Sequence, residues 1–192
     1  MARRWPVFVG LGLSLAALGT GLLIEPDRIE GWHFAARWTA RVGLPVFLAV
    51  YLASSLVRLY PAGWSRALLR DRRWWGLGFA ASHTVHLVAL VTYLQISGTP
   101  RTIGSLLPGG IAYLLLFAMA LTSSDAAMRS LGRNWKRLHT LGIHYIWFIF
   151  FISSVGRVLD PAKRTPGLIE VALTLAALAV RVAAWRRKRA AT

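Results

Sequence analysis

Four of the five histidines lie in two apolar stretches, His83 and His86 in GLGFAASHTVHLVALVTYL and His139 and His144 in RLHTLGIHYIWFIFFIS. Ionisable side chains at bilayer depth are rare and usually face the protein interior as functional groups. Neutral imidazole is an axial ligand of haem iron, so paired histidines on two spans predict a membrane b-type cytochrome. On a helix, positions 83 and 86 share a face, about 60° apart with about 4.5 Å of rise. Positions 139 and 144 are about 140° apart with about 7.5 Å of rise. Counted from Arg73, His83 is about 15 Å deep and His86 about 20 Å; counted from Arg137, His139 is about 3 Å deep and His144 about 10 Å. A helix starting near Leu131 adds about 9 Å to the last two values. The spacing leaves His83 with His144, or His86 with either partner, as open pairings. The competing role for each histidine is a hydrogen bond to a backbone carbonyl or a neighbouring helix. His33 falls in an acidic segment and is expected to be solvated.

These residues need a scaffold, and the composition names its class. Of 192 residues, 56% are hydrophobic and 16% charged, with a mean hydropathy of +0.51. A soluble chain carries about 25% charged residues. The net charge of +16 would suggest nucleic acid in a soluble protein. Here the charges cluster between apolar runs, the pattern of membrane-protein loops, and nucleic-acid binding is not expected. The absence of cysteine removes disulfides, thiolate metal sites, iron–sulfur clusters and covalent haem attachment.

The expected fold is all-α: a polytopic membrane protein with a six-transmembrane-helix, cytochrome b-like bundle forming a single domain over 1–192. Spans are expected near 6–24, 37–57, 74–96, 106–124, 138–157 and 167–185, since a span needs about 20 apolar residues. The second and fourth have short apolar cores, 42–56 and 108–122, and Pro45 is expected to kink the second. With both termini cytoplasmic, the cation clusters Arg3–Arg4, Arg58–Arg73, Arg129–Arg137 and Arg181–Arg189 fall inside. Glu25, Asp27, Glu30, Asp160 and Glu170 fall outside. The basic start and apolar run of residues 1–19 also fit a secretory signal, and a retained first helix is the expectation. Trp5, Trp64, Trp74, Trp75, Trp135 and Trp185 fall at span ends, where amphipathic rings form interfacial belts.

Several motifs add a resemblance. Arg72-Arg73-x-x-Gly76-Leu77 precedes His86-Leu87, and Leu121-Thr122-Ser123 precedes Leu131-Gly132-x-x-Trp135-x-x-Leu138-His139. Over roughly residues 70–150 this pattern resembles the ferric reductase-like transmembrane domain family. Within it, the pattern is similar to the haem-binding subunits of bacterial periplasmic methionine sulfoxide reductase systems. The resemblance implies a haem b cytochrome of the bacterial inner membrane, with His86 and His139 at haem-ligand positions and one or two haems. It also implies electrons arriving from quinol or a cytoplasmic flavin reductase and leaving to a periplasmic molybdopterin reductase. Family members often carry a further histidine three to four turns beyond the LH histidine. Here that region is Ile152-Ser153, while His83 and His144 are additions to the pattern.

On this reading the chain transfers electrons without substrate chemistry of its own. Cofactor binding falls to His83, His86, His139 and His144, with Arg73 and Arg137 as candidate partners of haem propionates or of a flavin phosphate. Quinone and FMN are further candidate ligands. Arg37, Arg41 and Arg157 are candidates at the outer face. Asp125 is read as a helix cap or arginine partner, and Ser154, Tyr145 and Tyr93 as cavity-lining or helix-bridging groups. Two other readings are a ferric reductase-type electron-transfer subunit and a non-haem transporter or assembly factor. The transporter should show paired intramembrane carboxylates or matched broken helices, and the spans hold almost no carboxylate.

Overall fold

A computed structural model describes residues 4–190, and these are almost wholly helical, with no strand among them. The elements are α1 (Trp5–Ile24), α2 (Arg28–Leu59), α3 (Gly63–Arg70), α4 (Arg72–Ser97), α5 (Ile103–Leu121), α6 (Asp125–Leu131), α7 (Arg133–Leu159) and α8 (Arg164–Ala190). A single 3-10 turn, Pro161–Lys163, precedes α8. Six of the helices (α1, α2, α4, α5, α7 and α8) are long and apolar enough to cross a membrane. Their outer surfaces carry large apolar side chains, such as Leu23, Leu114 and Leu141, each more than half exposed. In water such a surface would be an aggregation hazard, whereas lipid solvates it. The chain is an all-α, multi-pass membrane protein. Arg3, counted above with the inner cations, lies outside the described residues.

The helices run beyond their apolar cores where local chemistry lets them. α2 starts at Arg28, well before the expected position 37, because the Asp27 carboxylate accepts the Glu30 backbone N–H at 2.8 Å. This N-terminal cap extends the helix by about two turns. His33, expected in a solvated loop, therefore sits on α2, stacked on Tyr93 with ring centroids 4.6 Å apart. α2 remains helical through Pro45. α7 starts at Arg133, ahead of the apolar core, because Gly132 breaks the chain direction at φ 50°, ψ −119°. That conformation is open to glycine and strained for any residue with a Cβ.

The chain divides into two compact units. Unit 1 comprises the chain through Val50 with Ala67–Thr102, and unit 2 comprises Tyr51–Arg66 with the chain from Ile103 onward. Helix α2 contributes to both. In unit 1, α1 packs along α4 through small residues spaced four apart, Gly10 and Ser14 against Gly78 and Ser82. A Cβ at Gly10 would overlap the Gly78 carbonyl, so the backbones touch directly. One step further on, the Ser14 and Ser82 hydroxyls hydrogen-bond at 2.6 Å. Close backbone approach plus a buried polar bond is how helices associate where lipid supplies no hydrophobic drive.

Unit 2 also has a close backbone approach, since a Cβ at Gly167 on α8 would lie 2.8 Å from the Val158 nitrogen on α7, and it adds polar bridges. Arg157 on α7 donates to Glu170 on α8 at 2.7 Å, and Ser154 donates to the same carboxylate oxygen at 3.1 Å. The Trp147 indole N–H donates to the Thr174 carbonyl at 3.0 Å, and the Tyr145 hydroxyl donates to the Pro108 carbonyl on α5 at 3.2 Å. Ser154 and Tyr145 thus bridge helices, and Tyr93 stacks on His33. Ser124, just ahead of Asp125, caps α6 by accepting the Ala127 N–H at 3.1 Å.

Candidate functional site

In unit 1, α2 and α4 present matching faces. Thr39, Gly43 and Phe47, each four residues apart on α2, meet His86, His83 and Phe79 on α4 in reverse order. The spacing of four on α2 and three to four on α4 keeps each set on one helix face. Thr39 Oγ1 and His86 Nδ1 are 3.0 Å apart, and Thr39 is fully buried. Gly43 leaves the room that the His83 imidazole fills: a Cβ there would lie 2.7 Å from His83 Nδ1. Phe79 closes the other side, with its ring centroid 4.2 Å from that of His83. The two imidazoles are neighbours, centroids 5.5 Å apart. His83 is buried among protein groups, while His86, one turn further along α4, is half-buried.

Unit 2 repeats the theme with different ring geometry. Thr122, the residue after α5, places its hydroxyl 3.3 Å from His139 Nε2 on α7. Trp135, one turn before His139, stacks on its ring at 4.1 Å and donates its indole N–H to the Thr122 carbonyl at 2.9 Å. Trp135 therefore does more than mark an interface: it ties the start of α7 to the end of α5. His144 sits in a second cluster. Arg181 Nη2 donates to His144 Nε2 at 3.3 Å, while Arg181 Nη1 donates to the Tyr51 backbone carbonyl at 2.7 Å. The Arg181 guanidinium also lies over the Tyr51 ring at 4.4 Å, and the Tyr51 hydroxyl is 3.4 Å from His144 Nδ1. Arginine only donates, so the Nε2 lone pair of His144 is directed at Arg181.

The candidate anion-binding arginines lie elsewhere on the same helices. Arg73 is exposed in the first turn of α4, with its guanidinium 5.6 Å from the Trp74 ring. Arg137 is exposed on α7, two residues before His139. Arg41 lies over Trp38 at 4.9 Å, and Arg157 is committed to Glu170. Arg37 Nε is buried without a hydrogen-bond partner among the described residues. The sequence pointed to neither Thr39 nor Tyr51, and to Arg181 only as a cation of the inner cluster. The available signal was a polar or cationic residue inside an apolar run, and that signal does not say which histidine it serves.

Among the described residues, no group of three or more His, Asp or Glu side chains converges as a conventional metal cage would. The donors on offer are imidazoles, in ones and twos.

Curated relatives give this arrangement a family. A protein-methionine-sulfoxide reductase heme-binding subunit, MsrQ, of Cronobacter sakazakii is 35% identical over 168 residues, 80% of each chain. The Yersinia enterocolitica protein of the same name is 32% identical over 166 residues, covering 76% of this chain and 81% of the relative. That of Salmonella paratyphi B is 31% identical over 182 residues, covering 87% and 82%. No family model matches the chain. No solved structure matches it either. Identity at this level over most of both chains, with His86 and His139 carried on membrane-spanning helices, shows that the chain belongs to the MsrQ family of membrane subunits.

Proposed function

We propose that this protein is an integral membrane b-type cytochrome, the haem-binding electron-transfer subunit of a protein-methionine-sulfoxide reductase system. Its iron ligands are His86 and His139. The observation that carries this reading is the matched setting of these two residues: each is a half-buried histidine on a membrane-spanning helix, with one ring nitrogen at a threonine hydroxyl. The donor set fits haem held by imidazoles, and not a site built from carboxylates or thiolates. His83, enclosed by Gly43 and Phe79, and His144, held by Arg181 and Tyr51, are better placed as packing and bridging groups than as ligands.

Haem supplies reversible one-electron chemistry when bound. The chain's own residues hold and shield it. His86 and His139 would hold the haem iron through imidazole nitrogens, and the apolar helices around them exclude water and set a low dielectric. Arg37, with its unmet donor, is a partner for a propionate, while Arg73 and Arg137 are placed to bind a propionate or a partner's phosphate. Electrons enter from quinol or a flavin reductase on the cytoplasmic side and leave to a periplasmic molybdopterin reductase. Both termini lie in the cytoplasm, in keeping with the cation clusters at the ends of α1, α2, α7 and α8.

The test is a reduced-minus-oxidised spectrum of the purified protein with haem quantified per chain, for wild type, His86→Ala and His139→Ala. Sharp low-spin b-type bands in wild type, with haem lost or sharply reduced in both variants, are expected. Wild-type haem content in both variants would sink the assignment. The ratio of haem to chain decides between one haem and two.

A further inference from the structure

We infer that Thr39 is a positioning residue for His86, holding its imidazole as the Nδ1-protonated tautomer and so presenting Nε2 to iron. The inference rests on the reading of His86 as a haem ligand and adds a residue, on a different helix, that acts through it.

A single proton decides the tautomer. The Thr39 hydroxyl oxygen lies 2.7 Å from the Ala35 carbonyl, 3.2 Å from the Ala36 carbonyl and 3.0 Å from His86 Nδ1. A hydroxyl has one proton to donate, and both carbonyls can only accept. At 2.7 Å from the Ala35 oxygen, the proton belongs in that short contact; aimed elsewhere, it would leave two lone pairs facing each other. The hydroxyl therefore accepts from the imidazole, and His86 Nδ1 carries the hydrogen. The remaining ring nitrogen, Nε2, then bears the lone pair that iron accepts.

Two further features favour a fixed arrangement. Thr39 is fully buried, so water does not compete for its oxygen. The next steps along the same pair of faces, Gly43 at His83 and Phe47 at Phe79, set the helix register that brings Thr39 to His86. A donor bond from the distal nitrogen orients a metal-ligating histidine and raises its basicity, and losing such a bond typically weakens metal affinity about 10- to 100-fold.

Thr39→Val removes the hydroxyl at nearly constant shape, and Thr39→Ser retains it. In full-length protein, Thr39→Val is expected to shift the haem midpoint potential to more positive values, because a less basic imidazole stabilises the ferric state less. It should also change the ferric low-spin EPR signature and weaken haem retention about 10-fold or more. Thr39→Ser should match wild type in all three. A purely structural role for Thr39 would alter thermal stability without a potential shift that serine rescues. Thr39→Ala gives the same comparison should the valine protein not accumulate. A hydroxyl-less variant with wild-type potential, spectrum and retention overturns the inference, as does a Thr39→Ser shift as large as that of valine. Haem retained at the wild-type level in His86→Ala would instead overturn the ligand assignment itself, so the two failures are distinguishable.

Discussion

The two units solve the same problem with opposite ring orientations. In each, a threonine donates its hydroxyl proton back to a carbonyl one turn earlier, Thr39 to Ala35 and Thr122 to Ala118, both at 2.7 Å. In each, that hydroxyl also meets a histidine on a neighbouring helix. In unit 1 it meets Nδ1 of His86, whereas in unit 2 it meets Nε2 of His139. The first arrangement leaves Nε2 as the lone-pair nitrogen, ready for a metal. The second occupies Nε2, so ligation through that nitrogen requires the His139 ring to turn away from Thr122. The lesson is that equal partner chemistry does not give equal readiness to bind. Which ring nitrogen is held decides it.

The largest effect that would break this comparison lies in the histidines themselves. Alanine at His86 or His139 should remove most of the haem, while His144→Ala should retain it and lose stability through the Arg181–Tyr51 cluster. Haem quantification beside thermal melting separates the two classes.

Both units join helices by close backbone approach and polar bonds, unit 2 adds an ion pair between α7 and α8, and substitutions there sharpen the comparison. In unit 2, Glu170→Ala leaves Arg157 without its carboxylate in a partly buried hairpin. Breaking a buried pair costs about 3–5 kcal/mol, an upper figure here because the Arg157 side chain is 27% exposed. A denaturant or thermal unfolding series reads it, and Glu170→Gln should recover part of the loss. In unit 1, Gly78→Ala drives a methyl group into the Pro6 carbonyl. Overpacking of this kind costs about 1–3 kcal/mol. Gly12→Ala, on the same helix as Gly10 but with open space around it, should instead gain up to about 1 kcal/mol of helix stability. Equal melting shifts for the two alanines would refute direct backbone contact between α1 and α4.

The smallest effect is a pH dependence at the α7–α8 connection. The Lys163 ammonium donates to Asp160 at 2.6 Å and holds its carboxyl below the ordinary carboxylate range, with help from the Ala162 N–H. A carboxyl depressed in the folded state binds fewer protons there than when unfolded. Its contribution is therefore present above the ordinary carboxylate range and lost as pH falls through the lowered value. Asp160→Asn should flatten the acid limb of the stability curve slightly, and an unchanged limb would show that this exposed pair contributes nothing measurable.

Much of this molecule was legible before folding, because lipid imposes simple rules. Apolar runs of span length with cations between them dictated an all-α membrane protein, and the histidines within them pointed to imidazole ligation. The Leu121-Thr122-Ser123 and Leu131-Gly132-x-x-Trp135-x-x-Leu138-His139 strings pointed to the family. Helix ends were less legible, since a single carboxylate at Asp27 extends α2 past its apolar core, and only the positive φ of Gly132 reveals where α7 begins.

What the sequence by itself determined is the class of chemistry: residue type and hydropathy are properties of the chain and need no partner. What only the tertiary structure decided is which groups surround each histidine. Thr39 is 47 residues from His86 and Arg181 is 37 from His144. No local periodicity links such pairs. Helix packing brings them within hydrogen-bond distance, and at that distance the single proton of a hydroxyl or the fixed donors of a guanidinium determine which nitrogen keeps its lone pair.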